Sequence, residues 1–183
     1  MEIIDLDPLF PNLRLIELQQ PGLCGPACLA DAIRYLTGRE IDHLEIARYL
    51  NVDPKVGTPH LKMAEGARHY GLNAEIIQDE NLNLKQLGAK LEANPNLRII
   101  LNITPERSVD ENGDWEIEKE GWHYLVFEGL VKLNGQEFVI YNNPEFPASI
   151  QLIDLNTAEK KWYAYLIDQN YRRVDHWALI LTP

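Results

Sequence analysis

Hydrophobic positions recur at helical spacing early in the chain and at strand spacing later. Over 24–37, Ala27, Ala30, Ile33 and Leu36 form one apolar stripe and Gly38 supplies a stop, which predicts a helix. Asp42 is placed to cap a second helix, His43 to Leu50. Gly57-Thr58-Pro59 opens a third that ends at Tyr70, with Gly71 after it. Ala74 to Ile77 reads as a short strand. Asn83 caps a helix through Ala93, which Asn94-Pro95 breaks. Leu97 to Ile103 is a continuous apolar run of strand length. Residues 104–121 are polar, and Asp110-Glu111-Asn112-Gly113-Asp114 predicts a hairpin tip. Two strands, His123 to Leu130 and Glu137 to Tyr141, flank the hairpin signal Asn134-Gly135. Asn142-Asn143-Pro144 ends the second of them. Residues 155–170 read as helical, and Trp177 to Thr182 as a closing strand. Helices first and antiparallel strands later is an α+β order, with an N-terminal helical part packed on a C-terminal sheet.

The length of 183 residues suits one domain over 1–183, with 1–14 as an N-terminal extension and 104–121 as a polar loop or hairpin. Hydrophobic content of 45% and charged content of 25% are ordinary for a soluble globular protein. Two cysteines argue against a disulfide scaffold and for a reducing compartment. With no signal peptide and no run long enough to span a membrane, the expectation is a cytoplasmic protein. A net charge of −11 disfavours nucleic acid and anionic membrane surfaces as partners. It tolerates neutral or cationic substrates.

The candidate chemistry lies in Gln19-Gln20-Pro21-Gly22-Leu23-Cys24-Gly25-Pro26-Ala27-Cys28. Cys24 falls where a loop ends and a helix begins. Such a position stabilises a thiolate, the nucleophilic form, through the dipole and free N–H groups. Gly25 lets a substrate carbonyl approach the backbone. Pro26 fits a first helical turn. A glutamine upstream, Gln19 or Gln20, can direct its amide at the oxyanion of an attacked carbonyl. Alone, a cysteine at a helix start is more often packing than catalysis. Cys28, four residues on, reads as buried packing because no second ligand cluster accompanies it to make a metal site.

A cysteine nucleophile needs a base, and there are five histidines. His43, His60 and His69 lie on predicted helices among polar neighbours and read as surface residues. His123 and His176 each begin a predicted strand and are rivals. A catalytic imidazole is oriented through its far nitrogen. The Asn134-Gly135 turn folds the outer ends of its hairpin together, so His123 meets the Asn142-Asn143 pair. His176 has only Asp175 beside it, which faces the other side of a strand. This geometry favours His123. Trp122 either walls the site or fills the core. No cofactor is expected.

Taken in order, Cys24-Gly25-Pro26-Ala27-Cys28-Leu29-Ala30, Gly57-Thr58 with Leu61, Ala64, Ala67 and Tyr70-Gly71-Leu72, the His123-Tyr124-Leu125-Val126 strand and Asn143-Pro144 resemble the C39-like (bacteriocin-processing, double-glycine) cysteine peptidases of the papain-like superfamily. The resemblance spans roughly residues 15–183. It implies a papain-like fold with Cys24 as nucleophile, His123 as base, Asn143 as orienter and an upstream oxyanion glutamine. The family glutamine stands six residues before the cysteine, where this chain has Leu18, so Gln19 is the nearer substitute and Gln20 the other. The family orienter is an aspartate, here Asn143. The expectation is a thiol enzyme that cleaves an amide or thioester bond of a peptide or acyl substrate through a Cys24 acyl-enzyme. Gln20, Gly25 and Trp122 are the expected substrate contacts. In the alternative, an acyltransferase, an amine acceptor resolves the acyl-enzyme. Phytochelatin synthase resembles this chain in having a glutamine and a proline shortly before Cys-Gly. A third reading is a catalytically silent binding domain.

Overall fold

The computed structural model describes residues 22–103, 108–109, 115–116, 123–145, 151–166 and 172–183. Three helices come first: α1 (Cys24–Thr37), α2 (His43–Tyr49) and α3 (His60–His69). Then follow β1 (Asn73–Gln78), α4 (Leu84–Ala93) and β2 (Arg98–Ile103). Two short strands, β3 (Ser108–Val109) and β4 (Trp115–Glu116), pair antiparallel on either side of the expected hairpin tip. The tip itself, the N-terminal extension and most of 104–121 lie outside the described residues. The long hairpin β5 (His123–Leu133) and β6 (Gln136–Asn142) leads to β7 (Gln151–Asp154), α5 (Leu155–Lys161), β8 (Tyr163–Leu166), β9 (Arg172–Asp175) and β10 (Trp177–Thr182).

Local chemistry explains most of these boundaries. The Asp42 side chain accepts from the Leu44 N–H at 2.8 Å, and Asn83 with Gln86 makes a complete capping box for α4. Gly38 ends α1 in the left-handed conformation at φ 71°. The expected helix over 155–170 is shorter. Asp154 caps it and it ends at Lys161. The chain then turns extended into β8, where the aromatic run beginning at Trp162-Tyr163 favours a pleated surface over a helix. The indole N–H of Trp162 donates to the Trp177 carbonyl at 2.7 Å, which anchors that turn.

Six strands form one antiparallel sheet in the order β1-β10-β2-β5-β6-β7. Side chains alternate across it, so each face has its own core. Ile100, Tyr124, Val126, Trp177 and Leu179 face α1, α2 and α3. Ile99, Leu101, Leu125, Phe127 and Ala178 face α4 and α5. α1 packs against β5 and β2, which lays the Cys24 helix on the middle of the sheet. The β5–β6 ladder breaks register between Phe127 and Gly129, with Glu128 as the extra residue and Gly129 at φ 133°. Among the described residues no helix is long and apolar enough to cross a membrane.

Candidate active site

Cys24 is the first residue of α1, whose N-cap is Leu23. A leucine side chain cannot accept from the first-turn N–H groups, so those donors are not taken by a cap. Pro26 costs nothing there, because the first backbone bond that closes the helix is Ala27 N–H to Leu23 O at 3.1 Å. The approach is tight. Gly22 has φ 77°, and a Cβ on it would lie 1.9 Å from the Pro54 carbonyl oxygen. Gly25 is closely packed: a Cβ there would come within 2.8 Å of both Met63 Sδ and Thr58 Oγ1, so one or both side chains would have to shift. The Thr58 carbonyl is itself held by the Tyr124 hydroxyl at 2.9 Å, so strand β5 anchors the segment that leads into α3 beside the cysteine.

Opposite Cys24 stands His123, the first residue of β5, hydrogen-bonded to the thiol. The Nε2 atom of His123 lies 2.7 Å from Asn143 Oδ1. That oxygen also accepts the Glu145 N–H at 2.9 Å, which identifies it as the acceptor and Nε2 as the donor. Nδ1 is then the nitrogen left for the sulfur. The Asn143 amide nitrogen donates to Gln151 Oε1 at 3.2 Å, so the orienting side chain is held at both ends. The hairpin register brings this about: Val126 pairs with Asn142, which carries the next residue, Asn143, beside the start of β5.

All three groups are buried, at 6% exposure for Cys24, 2% for His123 and 9% for Asn143. Burial pushes the Cys24 thiol up, but the hydrogen bond and charge of His123, with the Tyr124 and Gly25 N–H groups, outweigh it and hold the thiol below its ordinary value. Burial likewise works against charge on His123, and the Cys24 contact, Asn143 and the nearby Glu145 outweigh it, so the imidazole is raised. A lowered thiol beside a raised imidazole shifts the pair toward its thiolate–imidazolium form. Cys28 differs in each respect: it is fully buried, and burial with the neighbouring Cys24 and Asp31 charges pushes its thiol well above the ordinary value. Both thiols are free.

The other sequence-level candidates fall into place around this pair. His176, the rival base, has φ 56° and its ring stacks on Trp162 at 4.7 Å, while its backbone N–H donates to the Trp162 carbonyl at 3.0 Å. His43 and His60 are buried, contrary to the surface reading, at 8% and 1% exposure. His60 packs edge-on against Trp177 and Tyr124, and burial lowers its pKa to about 4. Polar sequence neighbours on a helix concealed this, since His60 turns toward the sheet. His69 is exposed, as expected. Gln19, Gln20 and Trp122 lie outside the described residues. Sequence reasoning missed the Tyr124 N–H, Glu145 and Gln151. The first is a backbone donor invisible to residue type, and Gln151 sits on a strand that no alternation marks.

No family model matches the chain, and no curated protein matches it. Solved structures do. The chain is similar to the peptidase domain of Streptococcus ComA, a bi-functional ABC transporter involved in a quorum-sensing pathway, with a TM-score of 0.60 and 17% identity over 93% of this chain and 98% of that one. It is also similar to a double-glycine motif protease from an AMS/PCAT transporter, solved in complex with the leader peptide. That match has a TM-score of 0.54 and 19% identity, covering 92% of this chain and 90% of that one. The α+β architecture is therefore the fold of these two peptidase domains.

Proposed function

We propose that the protein is a papain-like cysteine peptidase whose nucleophile is Cys24. One observation carries the reading: a buried thiol at an uncapped helix start touches an imidazole whose far nitrogen is bound at 2.7 Å by Asn143. The fold it shares with double-glycine peptidase domains supports the same class. The thiolate attacks a peptide carbonyl, forming a C–S bond as the carbonyl electrons move to oxygen. The Cys24 N–H and an amide of Gln19 or Gln20 hold that oxyanion. As the C–N bond breaks, His123 gives its Nδ1 proton to the leaving amine. The neutral imidazole then takes a proton from water, which adds to the thioester carbonyl. The acid leaves and the thiolate–imidazolium pair returns. Asn143 keeps Nε2–H occupied throughout, so Nδ1 faces the sulfur at each step.

The substrate is a peptide, and the similar double-glycine motif protease, solved with its leader peptide, directs the first trial to peptides that carry Gly-Gly. The test has two stages. A limiting thiol electrophile followed by intact mass spectrometry should label wild type once, at Cys24, and label His123→Ala far more slowly. Gly-Gly peptides should then be cleaved by wild type and not by Cys24→Ala. Slow labelling that is equal at Cys24 and Cys28 and indifferent to His123 would replace the enzyme with the binding-domain reading. Added amines test the acyltransferase alternative, which the net charge of −11 favours for a cationic acceptor. If amines never enter the product, the acceptor is water.

A further inference from the structure

Cys24, Cys28, Asp31 and Tyr35 are spaced i, i+4, i+7 and i+11 along α1 and so share one face of the helix. Cys24 meets His123 at one end of that face. At the other end, about 10 Å along the axis, the face is gripped by one side chain from the sheet. Arg98, the first residue of β2, donates Nη2 to Asp31 Oδ2 at 2.8 Å, and its guanidinium lies 4.1 Å from the centre of the Tyr35 ring. Its other arm, Nη1, bonds Glu128 Oε2 at the bulge of β5. Glu128 Oε1 in turn accepts from Asn142 Nδ2 at 2.6 Å. A single buried fork thus joins α1, β5 and β6, the three elements that carry Cys24 and His123 and lead to Asn143.

Such a network adds little net stability over an apolar core, because desolvating the charges offsets their attraction. What it adds is geometry. An apolar helix face can slide or rotate slightly on a sheet with little penalty. A planar guanidinium between two carboxylates cannot follow such a slide without losing a hydrogen bond. Cys28 and the rest of the apolar contact between Cys24 and Asp31 contribute no such constraint.

The geometry points to Arg98 as a positioning residue that fixes the setting of α1 on the sheet, and through it the contact between Cys24 and His123. This rests on the thiol-enzyme reading above. The test compares the pH dependence of Cys24 alkylation by iodoacetamide in wild type, Arg98→Lys, Glu128→Gln and Leu84→Ala. Leu84 is buried on the opposite face of the sheet and controls for lost stability. Lysine keeps the charge but not the fork, so Arg98→Lys should react about tenfold more slowly than wild type at pH 6 and equal it at pH 10, where thiolate forms unaided. Glu128→Gln should shift the profile in the same direction, and Leu84→Ala should leave it unchanged. A folded Arg98→Lys protein with the wild-type profile would overturn the proposal. If Arg98→Lys does not fold, an unchanged profile in Glu128→Gln overturns it. A wild type whose reactivity at pH 6 is indifferent to His123→Ala would instead remove the thiol-enzyme reading itself.

Discussion

Truncating Asn143 to alanine isolates the weight of one hydrogen bond on the state of a neighbouring thiol. In the wild type, Asn143 Oδ1 lies 2.7 Å from His123 Nε2, in a corner where the imidazole is 2% exposed. A hydrogen bond to a charged group contributes about 1.5–3 kcal/mol. The bond is stronger when the imidazole is charged, so its loss falls mainly on the thiolate–imidazolium form. At about 1.4 kcal/mol per factor of ten, the population of that form drops roughly tenfold to a hundredfold. Asn143 itself is 9% exposed, so water can enter the vacated corner and accept in its place, which sets the expectation near tenfold. The assay is the second-order rate of Cys24 alkylation at pH 6 and at pH 10, read by intact mass. The ratio of the two rates cancels changes in access, because both proteins carry a full thiolate at pH 10. Asn143→Ala should lower that ratio about tenfold. A ratio within twofold of wild type would mean that the 2.7 Å contact only packs the corner, and the account of the raised imidazole would have to be abandoned.

Other expectations follow from the same geometry. Peptide cleavage should rise with pH as the lowered Cys24 thiol ionises and fall again as the raised His123 imidazolium loses its proton. Asn143→Asp should move that second limb to higher pH in a kcat/KM profile, since a carboxylate holds the imidazolium more strongly. His60 has a folded-state pKa of about 4 through burial, against 6.5 when unfolded, so the unfolded chain binds the extra proton between those values. Stability should be full above about pH 6.5 and fall by about 3 kcal/mol as pH drops to about 4. Denaturant melts at the two pH values should show a smaller fall for His60→Leu. Gly25→Ala forces a Cβ to within 2.8 Å of Met63 Sδ and Thr58 Oγ1 and should destabilise the fold by about 1–3 kcal/mol while slowing Cys24 alkylation. A melt that matched wild type would show that the two neighbours can give way.

Much of this arrangement was legible in the residues. Caps and stops such as Asp42, Asn83 and Gly38 act over three or four positions, and the chain obeys them locally. The meeting of His123 with Asn143 could be read from one turn signal, because a hairpin converts sequence distance into cross-strand distance. The stretch after Lys161 was not legible, since helix and strand differ there by whether Trp162 finds the Trp177 carbonyl, a partner in the last strand of the sheet. Burial of His60 likewise depends on Trp177 and Tyr124, both remote in sequence. The fork at Arg98 was invisible for the same reason: Asp31, Arg98 and Glu128 belong to three elements, and none carries a local motif.

The bulge in β5 has one more implication. Val126 and Phe127 pair with Asn142 and Tyr141, and Gly129 and Leu130 resume the ladder with Ile140 and Val139. The pairing on both sides would close without a change of face if position 128 were missing. Glu128 is therefore a residue that the hydrogen-bonded lattice of the sheet does not count. Strand residues on either side must satisfy a partner and a face at once, whereas this one is free to be chosen for its carboxylate alone. The sheet thereby gains a polar attachment point in its interior without giving up a rung.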